Sequence, residues 1–264
     1  MLTIAKQIPQ KSIFKEAENY KKWLDGIEFT ATVFSIVNTI VCYWLQYPNL
    51  VQIIISGIIL LFTTGIFYLQ RRFETIYRQA EEIRRDGLID NSFNTALANI
   101  ESQEYYDTES VDSGIKKLLA NIHENSFYSE QIVAYMFKRT EQKIIFVFIL
   151  LIIMAIISSV TSQVFSAILQ SFLSINYLGS YLKLRDLKLK LEQIQHNCKS
   201  IASNIKRLKT KTIPKEQQAI IIREVIHYET ALAYTSTMFD SKFYNKINAK
   251  ATREWKEMQN RYYQ

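Results

Sequence analysis

The stretch from Ile144 to Leu182 contains no Asp, Glu, Lys or Arg, and it constrains this chain more than any other feature. As one straight helix it would be about 58 Å long at ~1.5 Å per residue, twice the ~30 Å hydrocarbon core of a bilayer. Two crossings fit it better than one, with the turn in the polar patch Ser158-Ser159-Val160-Thr161-Ser162-Gln163. A second uncharged stretch, Phe29 to Gln70, has the same form and is broken at Tyr47-Pro48-Asn49. Only helices or closed barrels satisfy every backbone polar group in lipid, so each stretch predicts a helical hairpin. Buried helices of a soluble protein are the alternative, but such helices seldom stay uncharged all round for this long.

The expected fold is therefore all-α, an integral membrane protein with four transmembrane helices in two hairpins and cytosolic helical or coiled-coil extensions. Its parts are an N-terminal amphipathic helix within 1–28, hairpin 1 at 29–70, a cytosolic helical and loop region at 71–143, hairpin 2 at 144–182, and a basic helical tail at 183–264. Both hairpin turns lack Lys and Arg. Lys21, Lys22, Arg71, Arg72, Lys138, Arg139, Lys143, Lys183 and Arg185 flank the four spans on the other side. The positive-inside rule then puts both termini in the cytoplasm. No cleavable signal peptide is expected, because the first apolar run lacks a small-residue cleavage pattern.

Span 1 carries a polar row, Thr32, Ser35, Thr39, Cys42 and Gln46, and span 4 carries Gln163, Ser166, Gln170, Ser174 and Tyr177. Such rows hydrogen-bond between helices in lipid or line a pore. Ser35, Thr39, Ser166, Gln170 and Ser174 are the candidate pore-lining residues. Beyond span 2, Leu69, Phe73, Ile76, Ala80 and Ile83 form a coiled-coil-like seam that Asp86-Gly87 would end. A helix from Ile115 to His123 follows, and then a second one, capped by Ser126 or Ser129, that feeds span 3. Beyond span 4 the seam is longer: Leu184, Leu187, Leu191, Ile194, Cys198, Ile201, Ile205 and Leu208 alternate at 3 and 4. Thr212-Ile213-Pro214 breaks it. A returning helix with Ile221, Val225, Tyr228, Leu232, Thr235 and Phe239, and a last helix over 241–261, complete the tail.

Charge is uneven. Residues 71–143 hold ten Lys/Arg against thirteen Asp/Glu, whereas 183–264 hold seventeen against eight, within a chain of net charge +7. The basic excess beside the spans suits anionic lipid or a phosphate-bearing ligand, and no nucleic-acid partner is expected. Two cysteines and three scattered histidines suggest neither a disulfide framework nor a metal site, and no phosphate loop, GxSxG or HExxH is present. No catalytic constellation and no cofactor are expected.

Arg84, Arg85, Asn91, Phe93, Tyr105 and Tyr106 lie close in sequence, and guanidinium groups suit phosphate while aromatic rings suit bases. They form the candidate ligand pocket; arginines meeting lipid phosphate and tyrosines packing on a helix are the plainer account. The segments Arg78-Gln79-Ala80-Glu81-Glu82-Ile83-Arg84-Arg85, Ile89-Asp90-Asn91-Ser92-Phe93, Tyr105-Tyr106-Asp107 and Glu124-Asn125-Ser126-Phe127, with the order of parts, resemble the bacterial four-transmembrane effectors of CBASS and related cyclic-nucleotide anti-phage defence. That resemblance implies a homo-oligomer in the bacterial inner membrane that disrupts the bilayer on a cytosolic signal, with a cyclic nucleotide as ligand. A membrane-anchored scaffold and a small channel or transporter are the competing functions. The absence of ionisable residues inside both apolar blocks weighs against ion-coupled transport.

Overall fold

The structure, a computed structural model, describes residues 11–45, 48–98, 106, 108, 110–156, 177–208, 212–235, 238, 239 and 241–263. Among these it is all-helical, with α1 (Lys11–Leu45), α2 (Asn49–Phe93), α3 (Ile115–Ile156), α4 (Tyr177–Leu208), α5 (Lys215–Thr235) and α6 (Ser241–Tyr262). The expected turn of hairpin 2, and with it Ser166, Gln170 and Ser174, lies outside the described residues.

Three helices run further than their local sequence suggests. The Asp86-Gly87 pair does not stop α2, which continues to Phe93 and ends at Asn94 with a φ of 55°. The reason is tertiary: Leu88 and Ser92 are buried, so packing carries the helix past a glycine that only weakens it. Asn94 then supplies the left-handed cap, and Asp90 accepts hydrogen bonds from the Leu97 and Ala98 amides at 2.7 and 2.8 Å. The break expected near Ser126 is likewise absent, because no Gly or Pro interrupts residues 115–156. The Ser126 hydroxyl donates to the His123 carbonyl within α3 at 2.9 Å instead of capping a new helix. The amphipathic N-terminal segment runs unbroken into α1. In the tail, α5 begins one residue after Pro214, as the sequence predicts.

The chain divides into two compact units. The apolar unit, Ile13–Gln79 with Arg139–Leu182, holds α1 against the first part of α2. Phe14 meets Tyr77 at 6.1 Å and Phe34 meets Phe62 at 6.0 Å between ring centres, so the two helices run antiparallel. Ala17 and Leu24 of α1 and Phe73, Ile76 and Tyr77 of α2 are buried there. Among the described residues α2, over Leu50–Phe93, is the one helix long and apolar enough to cross a membrane. No residue of its most apolar stretch is buried, and Leu50, Ile53, Leu60, Leu61 and Phe67 are each more than two-thirds exposed.

The packed unit, Met1–Ser12, Ala80–Lys138 and Lys183–Gln264, is a helical body with one continuous core. Asn121 of α3 bonds the end of α2, while Ser129 and Arg84 both meet Tyr228 of α5, so α3 is antiparallel to α2. Gln195 of α4 reaches the Ser126 carbonyl and Lys188 lies over Phe137, which sets α4 antiparallel to α3. Asn197 bonds Glu224 and Lys190 lies over Tyr234, which sets α5 antiparallel to α4 and therefore to α2. The predicted α4 seam is buried from Leu184 through Ile201, and Ile205 is half-buried. Its last member, Leu208, is 44% exposed at the helix end. Trp255 of α6 is fully buried, its ring 6.0 Å from Phe127 and 5.2 Å from His123.

Candidate functional site

Among the described residues, three groups of buried polar side chains bear on the candidate site. The first is an ion-pair cluster between α2 and α5. Arg84 is buried, and its Nε and Nη2 donate to Glu81 Oε2 at 3.1 and 3.0 Å, one helical turn back. Nη2 also donates to Glu229 Oε2 at 2.5 Å, and Arg85 Nε donates to the same oxygen at 3.0 Å. The Tyr228 ring lies 5.7 Å from the Arg84 guanidinium, and its hydroxyl meets Ser129 of α3 at 2.9 Å. Burial alone would lower the Arg84 pKa, but Glu81 and Glu229 outweigh it and hold the guanidinium well above its usual range. Burial pushes the Tyr228 phenol upward, so it stays neutral and acts as a hydrogen-bonding group. Arg84 Nη1 and Glu229 Oε1 are buried without a hydrogen-bond partner among the described residues. Taking charges out of water costs free energy that their attraction only partly returns, and removing one partner leaves the other charge uncompensated.

The second group is an amide and hydroxyl knot. Asn121 is fully buried and donates from Nδ2 to Asn91 Oδ1 and Ser92 Oγ, both at 2.9 Å. Its Oδ1 accepts from Thr108 at 2.5 Å. One turn along the same face of α3, Asn125 donates to the Tyr106 hydroxyl at 3.1 Å. Gly114 caps the start of α3 at a φ of 119°, where a side chain would be strained, and its amide donates to the Ser92 carbonyl at 2.6 Å.

The third is His123, fully buried, whose Nδ1 meets the Tyr263 hydroxyl at 2.9 Å. Burial, with a smaller contribution from Lys199, depresses its pKa to about 3, so the imidazole is neutral near pH 7.

The candidate ligand residues thus gather at two addresses. Arg84 and Arg85 meet at Glu229, whereas Asn91 and Tyr106 meet on α3 at Asn121 and Asn125. Phe93, at the end of α2, is 42% exposed, and Tyr105 lies outside the described residues. Ser35 and Thr39 sit on α1, and their side chains are outside the described set. Sequence reading missed Glu229, Asn121 and Thr108 as site residues, and it placed Tyr228 on the seam of the returning helix, where it is buried, without its contacts to Arg84 and Ser129. The one signal for Glu229 was a carboxylate three and four residues from Leu232 and Val225, on the edge of an otherwise apolar stripe.

Among the described residues, clefts open on the packed unit. One, of about 350 Å³, is lined by Phe127, Lys199, Glu254, Met258 and Arg261 among others. Another, of about 270 Å³, lies between α4 and α5 and is lined by Lys190, Asn197, Glu224, His227 and Thr230 among others. Glu224 is fully buried, and Asn197 donates to it at 3.0 Å. Among the described residues no three His, Cys, Asp or Glu side chains come together as metal ligands. His196 is exposed and Cys198 fully buried, so these near neighbours point apart, and burial pushes the Cys198 thiol up, away from the reactive thiolate. No protein-family model matches this chain, and no curated protein or solved structure matches it either.

Proposed function

We propose that this chain is a membrane-disrupting effector of a bacterial anti-phage defence system: a four-span, homo-oligomeric protein of the inner membrane that opens the bilayer on a cytosolic signal. One observation carries the proposal. The single helix α2 starts as an uncharged, unburied apolar rod and ends, without a break, as a packed strut whose Arg84 and Arg85 are held by α5. A helix in one piece passes a shift of its packed end directly to its apolar end. The other spans come from the uncharged stretches at 29–70 and 144–182, and the basic flanks keep both termini inside. The chain does no catalysis in this scheme. A cyclic nucleotide serves as trigger by competing with Glu229 for the Arg84 and Arg85 guanidinium groups, since phosphate and carboxylate fit the same fork.

The test is induced synthesis in a bacterium with an impermeant dye and a membrane-potential probe. Dye entry and collapse of potential are expected, enhanced in Glu229→Gln, which removes the charge on α5 that pairs with Arg84 and Arg85 and leaves Arg84 to Glu81. Cells that keep their potential at high levels of membrane-inserted Glu229→Gln protein would sink the proposal. Binding to cyclic di- and trinucleotides should weaken in Arg85→Ala. Binding that is absent, or indifferent to Arg85, removes the nucleotide from the scheme.

A second reading, a membrane-anchored scaffold without a channel, is favoured by the hydroxyls of α2. Ser56, Thr63 and Thr64 each bond the carbonyl four residues back, at 2.9 Å, and so need no water to satisfy them. Assembly without any loss of potential would select it.

A further inference from the structure

The packed unit carries an exposed strip along the line where α2 and α5 meet, just past the Arg85–Glu229 contact. Ile89 and Phe93 follow Arg85 at four-residue steps on α2, and Ile226 and Ile222 precede Glu229 by three and seven residues on α5. Because the helices are antiparallel and touch at Arg85 and Glu229, Ile89 stands level with Ile226 and Phe93 with Ile222. Their exposures are 40, 57, 42 and 47%, and the shared levels set the four side chains beside one another, whereas the exposed Leu97, Leu189, Leu208 and Tyr234 lie at other places on this unit.

The edges of the strip differ in sign. Half-buried Asp86 and Asp90 lie on the α2 side away from α5, the Asp90 carboxylate also accepting from Thr95 and from the Leu97 and Ala98 amides. On the α5 side away from α2 stand Arg223 and His227, with side chains 59 and 54% exposed, beside the buried Glu224 carboxylate at 3.1 and 3.7 Å. Counted from the Arg85–Glu229 contact, Asp86 is level with His227 and Asp90 with Arg223. Across the surface the order is thus acid, apolar, apolar, base.

We infer that this strip is the contact between two copies of the chain, related by a two-fold axis running along the helices. Such an axis reverses the strip from side to side and leaves its levels unchanged. Each copy's Asp86 and Asp90 then face the other's His227 and Arg223, and isoleucine and phenylalanine meet in the middle. Self-complementarity of this kind is what an isologous interface requires, and opposite edge charges set its register. An axis along the helices also lets both copies enter one membrane in the same orientation. The inference deepens the oligomer proposed above, resting on that reading for the presence of more than one copy and naming the surface that joins them.

The experiment is the mass of the full-length protein in phosphatidylcholine nanodiscs, by light scattering, with helix content and thermal melting followed in parallel. Wild type should carry two 31.0 kDa chains per disc, or an even number. Ile222→Glu with Ile226→Glu, at exposed positions, should keep the wild-type melting and halve that mass. Asp86→Lys should weaken the pair as protein is diluted, and adding His227→Glu in the same chain should restore it, which no separate partner protein would do. Should the isoleucine variant misfold, the charge exchange alone decides. One chain per disc in the wild type overturns the inference, as does a folded isoleucine variant of unchanged mass or a charge exchange without effect. Permeability is read separately: paired chains that leave the dye outside would end the effector proposal and keep this surface.

Discussion

The two ends of α2 are made from one continuous helix and solve the same problem in opposite ways. Over residues 50–67 no side chain is buried, although Phe62 meets Phe34 of α1, charges are absent, and hydroxyls return to the helix's own carbonyls. Over 80–93 the apolar residues Ala80 and Leu88 are buried, and polar groups cross to other helices: Arg84 and Arg85 to Glu229, Asn91 and Ser92 to Asn121. The first end keeps its polar atoms satisfied whatever surrounds it. The second is stable only while particular partners stay in place. A helix of this kind is indifferent to sliding at one end and exacting at the other.

The sharpest test of that contrast is to remove a large side chain from the exacting side. Trp255→Ala should cost about 3–5 kcal/mol of unfolding free energy, seen as a lower denaturant midpoint, because a fully buried indole leaves a cavity beside Phe127 and His123. Leu60→Ala, at a residue 67% exposed, should hardly move the midpoint in detergent. Equal effects would erase the distinction. Next in size, Glu229→Ala strips Arg84 of its only partner on another helix among the described ion pairs and should cost about 3 kcal/mol, read from the same midpoint.

Much of this contrast was legible beforehand. The α4 seam could be read residue by residue because a repeat of 3 and 4 records which face is covered, and Leu184 through Ile201 are indeed buried. It failed at Leu208, where the helix ends and its neighbours run out. The polar contacts were not legible. Arg84 and Glu229 are 145 residues apart, His123 and Tyr263 140, and a hydrogen bond between distant side chains leaves no period in the sequence. The length of α2 was misjudged for a related reason: Gly87 has a local preference that can be read, whereas the burial of Leu88 that overrides it cannot.

Acid separates the two ends next. The folded pKa of His123, about 3, lies below the ordinary 6.5, so the unfolded chain takes up the proton first. Stability from this residue is whole above pH 6.5 and drains away as pH falls towards 3. At a pH of about 4.5 the loss should be about 2–3 kcal/mol. Denaturant titrations of the wild type and His123→Gln check this, and the variant should lose most of the slope. The smallest effect belongs to the self-satisfied end: Thr64→Val removes a bond to the Leu60 carbonyl and should stay within about 0.5 kcal/mol in either direction.

The docking of His123 against Tyr263 and Trp255 also sets when, during synthesis, the packed body can close. Its partners on α6 leave the ribosome long after α3 does, and contacts of such sequence separation close late in folding. The apolar rod of α2 is therefore synthesised well before the body that grips its other end is finished. For the interval of translation between residue 182 and the last helix, the cell holds a chain whose two apolar stretches are made and whose packed body still lacks α5 and α6. Slow codons, a stalled ribosome or a truncation ahead of Trp255 would prolong that interval.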